Sequence, residues 1–163
     1  MHAFEPDAWR DWFVAVAGIS AALAGLVFVS FSINLREILR SPGVIDRGGE
    51  ALILLLSTAI IAVVGLWPVD PIWVGLGLTC VGALFWVAVL TLFLRTGRHG
   101  RATRNQKAIR IGLSQLATLP AIVAGISLAV GVGPGLNLLV VSTLASLAGG
   151  VVGAWVLLVE ILR

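Results

Sequence analysis

Five long apolar runs, separated by short polar segments, make up most of this 163-residue chain. An α-helix needs roughly 17–25 mostly apolar residues to cross the hydrocarbon core of a bilayer. The runs have about that length, so the pattern predicts five membrane-spanning helices. The predicted spans lie at about residues 12–35, 51–67, 72–94, 111–132 and 136–159. We therefore expect an all-α integral membrane bundle, with residues 1–163 forming a single membrane domain.

Two of the connections are short and rich in residues that break helices. Residues 68–71 (PVDP) separate the second run from the third, and residues 131–135 (GVGPG) separate the fourth from the fifth. Proline and glycine end helices and favour turns. Each of these two pairs of runs is therefore predicted to form a helical hairpin.

The distribution of charge predicts how the bundle is oriented. Six of the eleven Lys and Arg residues lie at residues 95–110, between the third and fourth runs, and the two short turns contain none. By the positive-inside rule, the N-terminus lies outside and the C-terminus is cytoplasmic, in the cell (cytoplasmic) membrane. Four tryptophans then lie at the outer interface, where amphipathic rings gather. They are Trp9, Trp12, Trp67 and Trp73.

The basic segment at residues 95–110 has a cation at every third position. The cations are Arg95, Arg98, Arg101, Arg104, Lys107 and Arg110. Voltage sensors share this spacing but have apolar residues between the arginines. Here most of the intervening pairs are polar or contain glycine. We therefore expect a cytoplasmic loop that becomes helix at about Thr103, with Gln106 completing a capping box, and cations that contact anionic lipid head groups.

Composition and motifs argue against an enzyme. Charged residues are 12% of the chain, about half their share in soluble domains. Cys80 is the single cysteine, and both histidines lie outside the runs, so we expect no disulfide, metal site or cofactor. No nucleophile, phosphate-binding or metalloprotease motif is present. Nucleic acid is not an expected partner either, because no aromatic residues accompany the basic segment.

Two runs place small residues along one face of the predicted helix. In the first run these residues are Gly18, Ala21 and Gly25. In the fifth run they are Ser142, Ser146, Gly149, Gly150 and Gly153. Small residues allow two helix backbones to approach closely, so both faces are predicted to pack against other helices.

The polar residues of the runs have two interpretations. They are Ser20, Ser30 and Asn34 of the first run, Ser114 and Thr118 of the fourth, and Glu160 at the end of the fifth. The first interpretation is structural, since such groups form hydrogen bonds or ion pairs between membrane helices. The second is the lining of a pore or polar cavity, with Pro120 as a gating hinge in the fourth helix.

The first run reads GISAALAGLVFVSFSINL over residues 18–35, and Arg36 and a short basic loop follow it. This stretch resembles the opening of small polytopic membrane proteins of high-GC bacteria. Some of those proteins resemble modulators of a membrane-bound AAA protease. The resemblance covers about one span and implies a small membrane protein, without assigning any catalytic or binding residue.

Together these features predict a non-enzymatic membrane protein that acts through helix–helix association. A bundle of this size has a limited interior, and several of its helices have small faces. We therefore expect a homo-oligomer or a subunit of a larger membrane complex, with an accessory or regulatory role. The alternative is an oligomeric channel for an ion or small solute, lined by the polar stripe of the first or fourth span, with Asp70 at its outer mouth.

Overall fold

The computed structural model describes residues 3–33, 42–96 and 104–161 of the chain. Within them it contains five long α-helices, preceded by one short 3₁₀ turn. The helices are α1 (Arg10–Ile33), α2 (Pro42–Gly65), α3 (Pro71–Thr96), α4 (Arg104–Val130) and α5 (Asn137–Ile161). All five are long and apolar enough to cross a membrane, as a multi-pass membrane protein requires. The predicted all-α fold with five helices of spanning length is confirmed.

Two helices begin earlier than the apolar runs indicate. α2 begins at Pro42, ahead of the apolar run at about residues 51–67, and α4 begins at Arg104, ahead of the run at about residues 111–132. The runs mark only the apolar part of each helix, whereas the first turns are polar. Proline suits the first turn of α2 because an N–H there would have no partner within the helix. The start of α4 agrees with the predicted helix start at about Thr103, whereas the capping box stays a prediction because Thr103 and the side chain of Gln106 lie outside the described part of the structure.

Four of the helices form a closed ring, and the fifth lies against its outside. α2 contacts α3 and α5, and α4 contacts the same two helices. α1 packs along α2 and has a smaller contact with α5. Both predicted hairpins are present, since α2 packs against α3 and α4 packs against α5. α2 is therefore the main attachment of α1 to the rest of the bundle.

Apolar side chains fill the space between the helices. The largest cluster includes Phe13, Leu78 and Leu139, each with 0% of its surface exposed. A second cluster brings together one residue from each helix of the ring. These residues are Leu54, Val89, Ala117 and Ala145. The described side chains between the four helices of the ring therefore form a packed core, as in the interior of other proteins.

The first residues of the chain cross one end of the bundle and lie over the turn between α4 and α5. The N–H of Leu136 donates a hydrogen bond of 2.8 Å to the carbonyl oxygen of Ala3. Gly135 has a φ of +57°, and a Cβ there would meet the same carbonyl oxygen. Phe4 and Trp9 pack against the largest core cluster. We call this end, which also holds the α2–α3 turn, the N-terminal end of the bundle.

Candidate functional site

Glycines allow α3 and α4 to pack backbone against backbone. A Cβ on Gly75 would lie 2.6 Å from the backbone nitrogen of Ala129 and 2.7 Å from the carbonyl oxygen of Gly125. A Cβ on Gly125 would lie 2.7 Å from the backbone nitrogen of Thr79. Separations this small are not tolerated between a Cβ and backbone atoms, so a side chain at either position would force the helices apart.

Gly75 and Gly82 are packing residues that the sequence pattern did not single out. A Cβ on Gly82 would lie 3.0 Å from the side chain of Ile122, so this glycine also faces α4. The two glycines are separated by about two helical turns, which places them on the same face of α3. Their spacing was a usable signal, since it is that of a small-residue face in a membrane helix.

Two serines of the predicted α5 packing face lie against α4. Ser142 and Ser146 are each 2% exposed. The Ser142 hydroxyl donates to the carbonyl oxygen of Ala117, and the Ser146 hydroxyl lies 3.5 Å from the same oxygen. Ala117 precedes Pro120 by one helical turn, where proline disturbs the backbone hydrogen bonds of a helix. The serines of α5 therefore supply hydrogen bonds to α4 at its proline.

Two glycines of the same predicted face lie against α2. A Cβ on Gly149 would lie 3.1 Å from the side chain of Leu54, and one on Gly150 would lie 2.7 Å from that of Leu55. Gly153 is half-buried. The described residues of the α5 face thus lie mainly at contacts within the chain. The side chain of Glu160, which belongs to the same face, lies outside the described part of the structure.

The predicted packing face of α1 points away from the other helices. Gly18, Ala21 and Gly25 are exposed, and a Cβ on either glycine would meet nothing within 4 Å. The opposite face of α1 packs inward, where Phe13 and Ser20 are fully buried. Within the described part of one chain, the small face therefore forms no helix–helix contact. Its contact with a helix of another chain stays a prediction.

The serine and threonine hydroxyls that were candidates for a pore lining bond to their own helices. They belong to Ser20, Ser30, Ser114 and Thr118. Each donates to a carbonyl oxygen three or four residues earlier, and the bonds of the last three measure 2.9, 3.0 and 2.8 Å. Such local bonds satisfy a hydroxyl in a helix without a second helix or water. Asn34, the remaining residue of the α1 stripe, lies outside the described residues.

The four hydroxyl-bearing side chains differ in how far they are buried. Ser20, Ser114 and Thr118 are 0%, 1% and 4% exposed. A side chain buried within one chain cannot line a pore between chains, so these three residues are not available for that role in this conformation. Ser30 is half-buried near the end of α1. A pore between copies of this bundle would therefore have to use Ser30, Asn34 or residues outside the predicted stripes.

One polar pair links two helices through their side chains. The indole Nε1 of Trp86 in α3 donates a 2.8 Å hydrogen bond to the amide oxygen of Gln115 in α4. Gln115 stands beside the polar stripe of α4, and its partner was not evident from the sequence because the two residues are far apart along the chain. The pair adds a specific contact to the glycine-mediated packing of the same two helices.

Four of the six cations of the basic segment flank the connection between α3 and α4. Arg95 lies in the last turn of α3. Three others lie in the first turns of α4, namely Arg104, Lys107 and Arg110. Arg98 and Arg101 lie outside the described residues, as do the side chains of the other four. The contact of this segment with anionic lipid head groups stays a prediction.

Tryptophans gather at the N-terminal end of the bundle. The rings of Trp9 and Trp12 meet edge to face, with centroids 5.5 Å apart. Trp67 and Trp73 are 55% and 59% exposed beside the α2–α3 turn. Tryptophan rings concentrate where lipid meets water, so this end has the composition of a membrane interface. Which side of the membrane it faces stays a prediction.

Within the described ranges, no group of three His, Cys, Asp or Glu side chains is placed to hold a metal ion. In the same part of the chain, every buried polar side-chain atom has a hydrogen-bond partner. In comparisons with known proteins, the chain matches no family model, no curated protein and no solved structure.

Proposed function

We propose that this protein is a non-enzymatic, accessory or regulatory subunit of the cytoplasmic membrane that self-associates through α1. The observation that carries the proposal is the exposed small face of α1, formed by Gly18, Ala21 and Gly25. This face lies on the helix that packs outside the four-helix ring. A second helix can therefore lie against it without any change in the ring.

The physics of helix association in a bilayer supports this surface over the rest of the exterior. Lipid tails are as apolar as leucine, so exposed Leu and Val side chains do not by themselves drive association. Close approach of two backbones gains van der Waals contacts along the whole crossing, and small residues permit it. Leu26 and Val29, which are 65% and 51% exposed, lie beside the small face and would pack around a crossing helix.

Glycines elsewhere in the chain already allow two helices to pack closely. Where Gly75 and Gly125 meet between α3 and α4, the two backbones are in direct contact. The glycines of α5 likewise lie against leucines of α2. Gly18 and Gly25 have the same helical setting, but among the described residues no other helix would come within 4 Å of a Cβ on either. A contact with a second copy would give them the surroundings that glycines have elsewhere in the bundle.

The orientation of the subunit is part of the proposal. The N-terminal end, with its exposed tryptophans and short uncharged or acidic turns, would lie outside, and the basic segment at residues 95–110 would lie in the cytoplasm. Each Lys or Arg near an anionic membrane surface contributes about 1 kcal/mol of attraction. The basic segment would therefore anchor the subunit to the inner leaflet.

An oligomeric channel is the weaker proposal. Ser114 and Thr118 are buried inside the chain, and the Ser30 hydroxyl donates to its own helix. The core of the ring is filled by apolar side chains. Reproducible single-channel currents from purified protein in liposomes, abolished by Asn34→Leu, would nevertheless favour the channel over the accessory role.

The oligomeric state in liposomes tests the main proposal. We expect the wild-type protein to form oligomers and the double variant Gly18→Leu, Gly25→Leu to be monomeric, measured by single-molecule photobleaching of a labelled chain. Gly112→Leu is the matched control, because Gly112 lies on α4, is exposed and has nothing within 4 Å of a Cβ. It should leave the oligomer unchanged.

Two results would contradict self-association through α1. One is a wild-type chain that stays monomeric at every protein-to-lipid ratio. The other is a double variant that forms oligomers of the wild-type size. If Gly112→Leu also abolished the oligomers, a bulky side chain on any exposed helix surface would be enough to disrupt assembly. The effect would then not be specific to the α1 face.

A further inference from the structure

An open cleft of about 350 Å³ lies at the N-terminal end of the bundle. One wall is the 3₁₀ turn and the start of α1, with Asp7 and Arg10. The other wall is the end of α2 and the α2–α3 turn at residues 65–71, with Trp67 and Asp70. A volume of this size is in the range of small-molecule binding sites. The cleft therefore has room for a polar head group or a small metabolite.

The charged groups of the cleft come from both of its walls. Asp7 and Arg10 belong to the segment that leads into α1, and Asp70 belongs to the opposite turn. All three are exposed, so they can reach a ligand from the solvent or the lipid interface. Two carboxylates favour an ammonium group, and a guanidinium favours a phosphate, which it binds with two parallel hydrogen bonds. A ligand that pairs with all three side chains therefore carries a positive group and a negative group.

The walls of the cleft are stiff for such a small site. Pro6, Pro68 and Pro71 all line it. Proline fixes its own φ, so these segments lose little conformational freedom when a ligand binds. The same end carries the exposed rings of Trp67 and Trp73, which mark the depth at which lipid head groups lie. We therefore expect the cleft to lie at the level of the head groups.

We propose that this cleft binds a phosphate–ammonium zwitterion, the chemistry of a phosphoethanolamine group, with the phosphate on Arg10 and the ammonium between Asp7 and Asp70. Two sources carry this chemistry, namely the head group of phosphatidylethanolamine and free phosphoethanolamine. A trimethylated ammonium has no N–H to donate to the carboxylates. A phosphatidylglycerol head group has no cation at all. The binding does not depend on self-association through α1.

Lipid titrations in detergent, followed by native mass spectrometry, test the proposal. We expect phosphatidylethanolamine to bind the wild-type protein about tenfold more tightly than phosphatidylcholine or phosphatidylglycerol of the same acyl chains. Asp70→Asn and Arg10→Gln should each remove this preference. Asparagine also serves well at a position that precedes a helix, so Asp70→Asn should keep the start of α3 intact. The melting temperature of each variant verifies that it is folded.

Asp11→Asn is the matched control. Asp11 is exposed and adjacent to Arg10, but it does not line the cleft. It should keep the wild-type preference. Equal binding of phosphatidylcholine and phosphatidylethanolamine would overturn the proposal, and so would an unchanged preference in Asp70→Asn and Arg10→Gln.

A competition experiment distinguishes the two sources of the ligand. If free phosphoethanolamine displaces the lipid from the wild-type protein, the polar group alone is recognised and the soluble compound is a ligand in its own right. If it does not, while the lipid preference and its loss in the variants are observed, the ligand is the lipid. Absence of binding by both compounds would overturn the proposal, without bearing on whether α1 self-associates.

Discussion

Two pairs of glycines in this chain have opposite surroundings. Gly75 and Gly125 lie where α3 meets α4, and a Cβ on either would fall within 2.7 Å of the neighbouring helix. Gly18 and Gly25 lie on α1, and a Cβ on either would meet nothing within 4 Å. All four are glycines inside long apolar helices. Residue type and hydropathy therefore do not distinguish them.

The difference lies in what each pair can do for the protein. The contact between Gly75 and Gly125 is made within the chain, so it contributes to the stability of the fold. Among the described residues the face around Gly18 and Gly25 makes no such contact, so we expect substitutions there to preserve the fold while they change the surface offered to another chain. Measurements of folding and of association therefore separate the two roles.

The largest effect is expected at the contact between α3 and α4. Gly125→Leu places a side chain where a Cβ alone would lie 2.7 Å from the backbone nitrogen of Thr79. Because backbone cannot move aside as a flexible side chain can, the two helices must separate. We expect the free energy of unfolding in bicelles, measured by steric trapping, to fall by about 3 kcal/mol or more.

Gly112→Leu provides the comparison on the same helix. It introduces the same side chain into α4 at a position with nothing within 4 Å of a Cβ. It should not lower the free energy of unfolding and should raise it by up to about 1 kcal/mol, because leucine is a better helix former than glycine. If the two leucines changed stability equally, close backbone packing would not be what holds α3 against α4.

An intermediate effect is expected at the turn between α4 and α5. Gly131 and Gly135 both have positive φ, at +71° and +57°, so alanine at either position costs roughly 1–2 kcal/mol in the left-handed region. Only at Gly135 would the added Cβ also meet the carbonyl oxygen of Ala3. We expect Gly135→Ala to lose more stability than Gly131→Ala and to release the N-terminal segment.

Hydrogen exchange measures that release directly. In Gly135→Ala, the amide of Leu136, which donates to Ala3, should exchange faster than in wild type. In Gly131→Ala it should exchange at a rate closer to wild type, because a Cβ there would meet nothing within 4 Å. Equal exchange of the Leu136 amide in the two variants would show that backbone conformation, and not contact with the first residues, determines the order of this end.

The number and order of the helices were predictable because the bilayer imposes a length. A spanning helix must stay apolar over about the thickness of the hydrocarbon core. This requirement produces five long apolar runs that are easily recognised in the sequence. The same reasoning does not locate the start of α2, at Pro42, because a helix continues past its apolar part into polar first turns. The hairpins followed from the proline and glycine in the two short turns.

The packing faces were less predictable for a related physical reason. In a membrane, positions that face lipid and positions that face other helices are both apolar, so hydropathy does not orient a helix. Gly18 and Gly75 therefore look alike in the sequence, although only Gly75 contacts a neighbouring helix. Ser114 and Thr118 were ambiguous too, because a hydroxyl that bonds its own helix has the same pattern as one that lines a pore.

The smallest effect on stability is expected at Gly25, where the comparison between the two pairs of glycines is tested most directly. Gly25→Leu is the same substitution as Gly125→Leu, in another long apolar helix, but its side chain enters open space. The free energy of unfolding of the monomer should not fall in the same bicelle assay, and it should rise by up to about 1 kcal/mol because leucine is a better helix former than glycine. A loss comparable to that of Gly125→Leu, measured at a dilution where the wild-type chain is monomeric, would mean that α1 packs through its small face within one chain. The exposed glycines would then belong to the fold, and α1 would have no free face for a second copy.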